Sequence, residues 1–319
     1  MLKIERLRVI GLTIMPTFLV ACGVLGGADG DSSVSRIVEK AIENQVFVEG
    51  GEFELGDVGR PDGSAYLTLV DHSRPVIEVK VDSYSISRYE TTWGQMWVYY
   101  EATGRLSQYE ESPFKQRYVT SPTDDLLSPY FRDKPARVPN YREAEGYCAW
   151  LAQETGLPFA LPTEAQWEYA ARSRGRKVAY ATDSGEVQKD PYLRRPTEYV
   201  DPSIPPSGNT LMHSSVKFER RPVGSYPPNP LGLYDMTGNV AEWTQDWFQE
   251  DYYEQAPRDN PSGPEKPANP DRPEKTVRDW GGHGDSMGGA GTVFMRAGEP
   301  VSASGTGFRC VVNHPEPIN

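Results

Sequence analysis

Three segments of this chain are punctuated alike, and together they limit what it can fold into. Thr92-Trp93-Gly94-Gln95, Asn140-Tyr141-Arg142-Glu143 and Thr163-Glu164-Ala165-Gln166 each set a capping side chain three residues ahead of Glu or Gln. In that arrangement the first side chain accepts from free amides at a helix start while the second reaches back. Apolar residues then recur at helical spacing: Trp93, Met96, Trp97 and Tyr100, then Ala144, Cys148 and Leu151, then Trp167, Ala170 and Ala171. The three runs close toward Gly104, Gly156 and Gly175, since glycine accepts the left-handed backbone that ends a helix. The helices so predicted are short. Between them, 30 Gly and 28 Pro break up any long regular element, which favours a loop-rich globular fold over a helical bundle.

Other elements read as strands. Val46–Val48, Glu52–Gly56 and the alternating Val76–Val81 carry the period of two expected of a half-buried strand. Arg36–Asn44 suits a short helix leading into the domain. Segments 105–135 and 248–275 hold few periodic apolar positions, and the second, with six prolines, reads as a surface excursion rather than a separate domain. Seven Trp and 18 Tyr point to a core built largely on aromatic packing.

The first residues read as an address. Lys3, Arg6 and Arg8 precede an apolar run from Val9 to Ala21. A run of that length falls short of the roughly 20 residues a spanning helix needs and suits a signal peptide. It ends in Leu19-Val20-Ala21-Cys22-Gly23, which resembles a bacterial lipobox. That resemblance implies removal of residues 1–21 and lipidation of Cys22, with a tether over residues 22–44, rich in Gly, Asp and Ser up to Ser35. A coincidental cysteine behind an ordinary secretory signal is the alternative. The lipobox reading places the protein in the bacterial cell envelope, held to the lipid bilayer by an acyl anchor. Gly23 after the cysteine favours the outer membrane, facing the periplasm or the cell surface. The whole chain carries a net charge of −12, and the part from Cys22 onward −14, because residues 1–21 hold three basic groups and one acid. A surface that acidic repels nucleic acid, which is excluded as a partner.

Leu161-Pro162-Thr163-Glu164-Ala165-Gln166-Trp167-Glu168-Tyr169-Ala170-Ala171-Arg172 closely resembles a signature segment of the formylglycine-generating enzyme (sulfatase-modifying factor) family. Four further blocks match in order: Phe47–Gly56, Arg137–Leu151, Pro222–Trp247 and Gly307–Val311. The resemblance implies one α+β domain over 45–314, irregular and loop-rich, similar to C-type lectin domains. It also implies a disulfide between Cys148 and Cys310, at positions joined in secreted members. Two buried free thiols are the other possibility.

The catalytic members of that family hold copper through two thiolates just after a Gly-Gly-Ser segment and oxidise a substrate cysteine with oxygen; a soft ligand is what retains Cu(I). Counting from Gly282 places Ser286 and Gly291 where those cysteines would stand. Neither can replace a thiolate, so the resemblance implies the fold without copper as cofactor. The histidines His72, His213, His283 and His314 show no spacing suited to a three-histidine iron site. Gly284–Gly288 spells the pattern of a hydrolase nucleophile elbow, but Gly-Gly-Ala-Gly around and after it is no helix start, and such an elbow needs one. One metal site is implied by the family. Asp235 and Glu242 would give carboxylates and Gly238 and Val240 carbonyls to Ca²⁺, a hard ion that prefers oxygen. A capped turn in which Asp235 bonds amides is the alternative.

Two functions of different class follow. The first is a non-catalytic envelope lipoprotein that binds or scaffolds a protein partner. The second is an enzyme with a rewired site built from His283, Asp285, Ser286 and Arg296.

Overall fold

The computed structural model describes residues 28–67, 71–110, 112, 116–185, 220–279 and 291–319. Residues 1–21, Cys22 and the stretch from 280 to 290 lie outside them, so the anchor and the candidates His283, Asp285 and Ser286 have no structural description. Among the described residues no helix is long and apolar enough to cross a membrane.

Helix α1 (Ala28–Glu43) leads in. It starts eight residues before the expected Arg36, taking up part of the stretch read as tether. Val34, Ile37, Val38 and Ala41 line one face and pack on the core, and Arg36 Nε donates back to the Ser32 carbonyl at 3.1 Å. Strands β1 (Gln45–Val48), β2 (Gly51–Leu55), β3 (Ile77–Val81) and β4 (Tyr84–Ser87) follow, then α2 (Trp93–Thr103). After a 3₁₀ turn at Leu106–Tyr109 come α3 (Tyr141–Thr155), β5 (Phe159–Ala160) and α4 (Glu164–Ala171). The C-terminal part supplies β6 (Glu242–Trp247), β7 (Glu274–Arg278), β8 (Arg296–Pro300) and β9 (Val311–Val312).

The strands form three small antiparallel sheets, ordered β1-β4-β9-β5, β2-β3 and β6-β7-β8. This is the α+β, irregular, single-domain arrangement expected. Two apolar clusters lie between the sheets and helices. One joins Phe53, Val79 and Ile86 to Trp167 and Ala170 of α4 and to Val293–Met295. The other joins α1, α2 and α3 to Trp243, Val277 and Phe308. Aromatic rings knit the second: Tyr99 meets Tyr147 edge-on at 5.7 Å, and Tyr147 meets Phe308 at 5.6 Å. Cys148 of α3 is bonded to Cys310, just ahead of β9, across a separation of 162 residues.

Capping follows expectation at two helices and departs at the third. Thr92 and Thr163 each form the full reciprocal box with Gln95 and Gln166. Asn140 makes no cap bond. Glu143, which would complete the box, instead accepts from Tyr109 Oη at 2.5 Å and Arg105 at 3.3 Å. Helix α4 also ends at Ala171, short of Gly175. Asn229 Nδ2 donates to the carbonyls of Ala170 and Ala171 at 2.9 and 3.1 Å, and so satisfies the last turn from outside.

Candidate functional site

The segment expected to carry chemistry runs between β7 and β8, and both strands are fastened to α4. Arg278, the last residue of β7, gives Nη1 to Glu164 Oε1 at 2.6 Å and Nη2 to Glu168 Oε2 at 2.7 Å. Arg296, the first of β8, holds Glu164 with Nε at 2.6 Å and Nη2 at 3.1 Å. Arg172 closes the group on Glu168 at 2.8 Å. Burial opposes ionisation of Glu164, yet the guanidiniums of Arg296 and Arg278 hold its carboxyl below the usual range. The polar residues of the Leu161–Arg172 signature are thus structural: they cap α4 and bind both ends of the segment to it.

Arg296, a candidate reactive group, is enclosed by these contacts. It is 1% exposed. Its remaining nitrogen donates to the carbonyls of His72 and Gln249 at 2.9 and 3.1 Å, and its guanidinium lies over Phe248 and Tyr253. These bonds take four of its five N–H donors, and buried as it is, it serves to position β8.

The loop from Asp235 to Ala241 lies against Asp279, the residue after β7. Asp235, Gly238, Asn239 and Asp279 all have positive φ, at 57°, 101°, 61° and 51°. This is a backbone that ordinary residues adopt only when their surroundings enforce it. The enforcement is visible. Gly238 N–H donates to Asp279 Oδ2. Asn239 Nδ2 and Val240 N–H donate to the two oxygens of Glu90 at 2.8 and 3.2 Å. Asp235 Oδ2 accepts from Gly224 N–H at 2.7 Å, as in the capped-turn alternative.

Glu242, expected to offer a carboxylate to calcium, is held by other groups. Arg309 Nε lies 3.0 and 2.8 Å from its two oxygens and Nη2 is 2.6 Å from Oε1, while Trp167 Nε1 donates to Oε2 at 2.9 Å. A guanidinium clamped on both oxygens neutralises the charge that would draw a cation there. Among the described residues no three His, Cys, Asp or Glu side chains are close enough together to hold one metal ion. Asp235 keeps one buried oxygen, Oδ1, without a hydrogen-bond partner, as does Asp279. Burial pushes Asp235 up to about 6 and Asp279 well above the usual range. Burial, then the charges of Asp235 and Glu242, do the same to Glu90. Of the two carboxylates expected in the calcium set, Glu242 is paired with Arg309 while Asp235 keeps an unpartnered oxygen.

Glu90 and Asp279 were not foreseen among the functional candidates. No motif marks them, because Glu90 meets Val240 across 150 residues of sequence. Glu90 also lines an open groove of about 540 Å³ between α1 and the start of α2, with Arg36, Lys40, Tyr89, Gln95 and Arg132. The groove mixes both charges with an aromatic ring, and its volume is that of a ligand site.

The position opposite Asp279 is Gly291, with φ 82°; a side chain there would meet the Thr237 methyl group at 3.6 Å. A left-handed backbone at this point suits glycine and strains anything larger.

Comparison with known proteins gives a consistent result. The Sulfatase-modifying factor enzyme 1-like domain family matches residues 32–314. The serine/threonine-protein kinase pkn1 of Chlamydia pneumoniae is 31% identical over 249 residues, covering 74% of this chain and 34% of the kinase. The chain thus spans about a third of that relative's length. The formylglycine-generating enzyme of Streptomyces coelicolor is 30% identical over 259 residues, covering 70% of this chain and 76% of the enzyme. The solved structure of PvdO from Pseudomonas aeruginosa superimposes with a TM-score of 0.56 at 26% identity, covering 84% of this chain and 93% of PvdO.

Proposed function

The chain belongs to the sulfatase-modifying factor family, and from that membership we propose that it is a lipid-anchored envelope protein whose domain binds or scaffolds a partner and has given up the family's oxidation chemistry. The observation that carries this reading is the state of the cysteines. Residues 45–314 contain Cys148 and Cys310 and no other cysteine, and these two are buried and bonded to each other. Two free thiolates are what a Cu(I) site in this family requires, and the domain has none to offer.

The sites of the missing ligands support the same reading. Ser286 stands at the first in sequence, and Gly291 stands at the second in a backbone shaped for glycine. Arg296, the one described member of the alternative enzyme's constellation, is consumed by Glu164. The groove beside α1 gives a binding module a surface, and α1 is the element that follows the anchor segment.

The test is a pull-down of the lipidated protein from crosslinked envelopes, with metal analysis of the same sample. A stoichiometric envelope partner without copper or iron supports the binding module. Stoichiometric copper or iron without a stable partner overturns it and returns attention to His283 and Ser286.

A further inference from the structure

Among the described residues, large apolar side chains are buried or half-buried, with one exception. Leu126 and Leu127 stand 57% and 76% exposed, side by side in the loop between α2 and α3. A single exposed leucine is ordinary; an adjacent pair turned outward together needs a reason.

The pair is held out by a stiff turn. Leu127 N–H donates to Asp125 Oδ1 at 3.0 Å and Ser128 N–H to the Asp125 carbonyl at 2.9 Å, a side-chain turn laid over a backbone one. At its base Thr123 N–H donates to the Tyr130 carbonyl at 2.9 Å and Arg132 N–H to the Thr123 carbonyl at 3.1 Å. Lys134 Nζ ties the Ser128 carbonyl at 2.9 Å, and Gly94 N–H at the start of α2 ties that of Arg132 at 2.9 Å. The two acids ahead of the leucines are answered inside the turn, Asp125 by the Leu127 amide and Asp124 by Arg132 Nε at 2.5 Å.

The same arginine locates the turn. Arg132 lines the groove beside α1 together with Ser33, Arg36 and Lys40, so the leucines lie on the side of the domain that α1 faces. Ala28, where α1 begins, is six residues from Cys22, and six residues span at most about 20 Å. An acylated Cys22 therefore keeps α1 and its groove close to the bilayer surface. Arg36 and Lys40 bring two cations to that side of a chain in which acids outnumber bases by 45 to 33, and cations near a membrane meet headgroup phosphates.

We propose that Leu126 and Leu127 dip into the interfacial layer of the bilayer, giving the domain a second membrane contact that fixes its orientation there. The inference rests on the lipid-anchor reading of Cys22. Two leucines alone would hold a protein to a membrane only weakly. Behind an acyl anchor their insertion is an intramolecular step, for which a weak contact is enough.

The experiment reconstitutes the full chain into phosphatidylcholine vesicles whose acyl chains are either plain or brominated. An environment-sensitive fluorophore on Pro129→Cys reports from beside the turn and leaves both leucines in place, and mass spectrometry of the same sample reads the acyl group on Cys22. The expected emission is blue-shifted and quenched about twofold or more by the brominated chains, because an inserted side chain reaches the acyl boundary. Leu126→Ser and Leu127→Ser are each expected to reduce that quenching and, as surface changes, to leave the melting temperature where it is. Acylated Cys22 without quenching, or with quenching indifferent to both leucines, overturns the inference and leaves the anchor reading intact. Unacylated Cys22 overturns both. Crosslinking from position 129 to one envelope protein, without quenching in vesicles, assigns the leucines to a protein partner and overturns the inference as well.

Discussion

At the scale of single residues, the interior turns on carboxylates whose states differ by environment. Glu242 and Arg309 are both wholly buried, and Trp167 depends on the same carboxylate. Glu242→Ala would leave a buried guanidinium unpaired and is expected to cost about 3–5 kcal/mol in urea unfolding. Glu242→Gln keeps an acceptor for Trp167 and is expected to cost less. Asp246 behaves in the opposite sense. It accepts from Glu164 N–H at 2.8 Å at the start of α4, and burial, then the charge of Glu164, raises it to about 8. A raised carboxyl lends its full stability below the unfolded value near 4 and loses it as pH climbs through the folded value. Asp246→Asn mimics the protonated form. Its melting temperature is expected to match the parent near pH 4 and to exceed it by a widening margin toward pH 9. Equal slopes for the two proteins would show that Asp246 is ionised throughout.

At the scale of elements, what could be read ahead was what is local. The boxes at Thr92 and Thr163 are complete within four residues, and both formed. Asn140 carries the same pattern and failed, because Glu143 answers to Arg105 and Tyr109, 38 and 34 residues away. The end of α4 was likewise misplaced through Asn229, 59 and 58 residues distant. The site divides in the same way. Its glycines and missing thiols were legible in the chain, whereas Glu90, Asp279 and the pairing of Glu242 with Arg309 exist only once the fold brings them together. The Cys148–Cys310 bond ties α3 to the residue just ahead of β9, the strand that joins β4 to β5. Replacing both cysteines with serine is expected to cost about 2–5 kcal/mol, measured by denaturant unfolding against the oxidised parent. No change would mean that the surrounding aromatic cluster alone sets that stability.

At the scale of the whole molecule, the fold is a frame of buried ion pairs and aromatic packing that holds the loop Asp235–Ala241 and the facing ends of β7 and β8 in place. Within the frame Glu242 is neutralised by Arg309. Chelation with EDTA is therefore expected to leave the melting temperature unchanged, and a drop of several degrees restored by calcium would show that the loop does hold the ion. The proposed loss of copper chemistry rests on two positions, Ser286 and Gly291, which stand where the family's thiolates are expected. The central claim is that these positions have removed copper-dependent oxidation. The measurement that tests it most directly incubates the full chain in detergent with Cu(I), oxygen and a cysteine-bearing peptide, and reads the peptide by mass spectrometry. The account predicts no stoichiometric Cu(I) binding and no conversion of the cysteine to an aldehyde, and an aldehyde formed at that cysteine would contradict it.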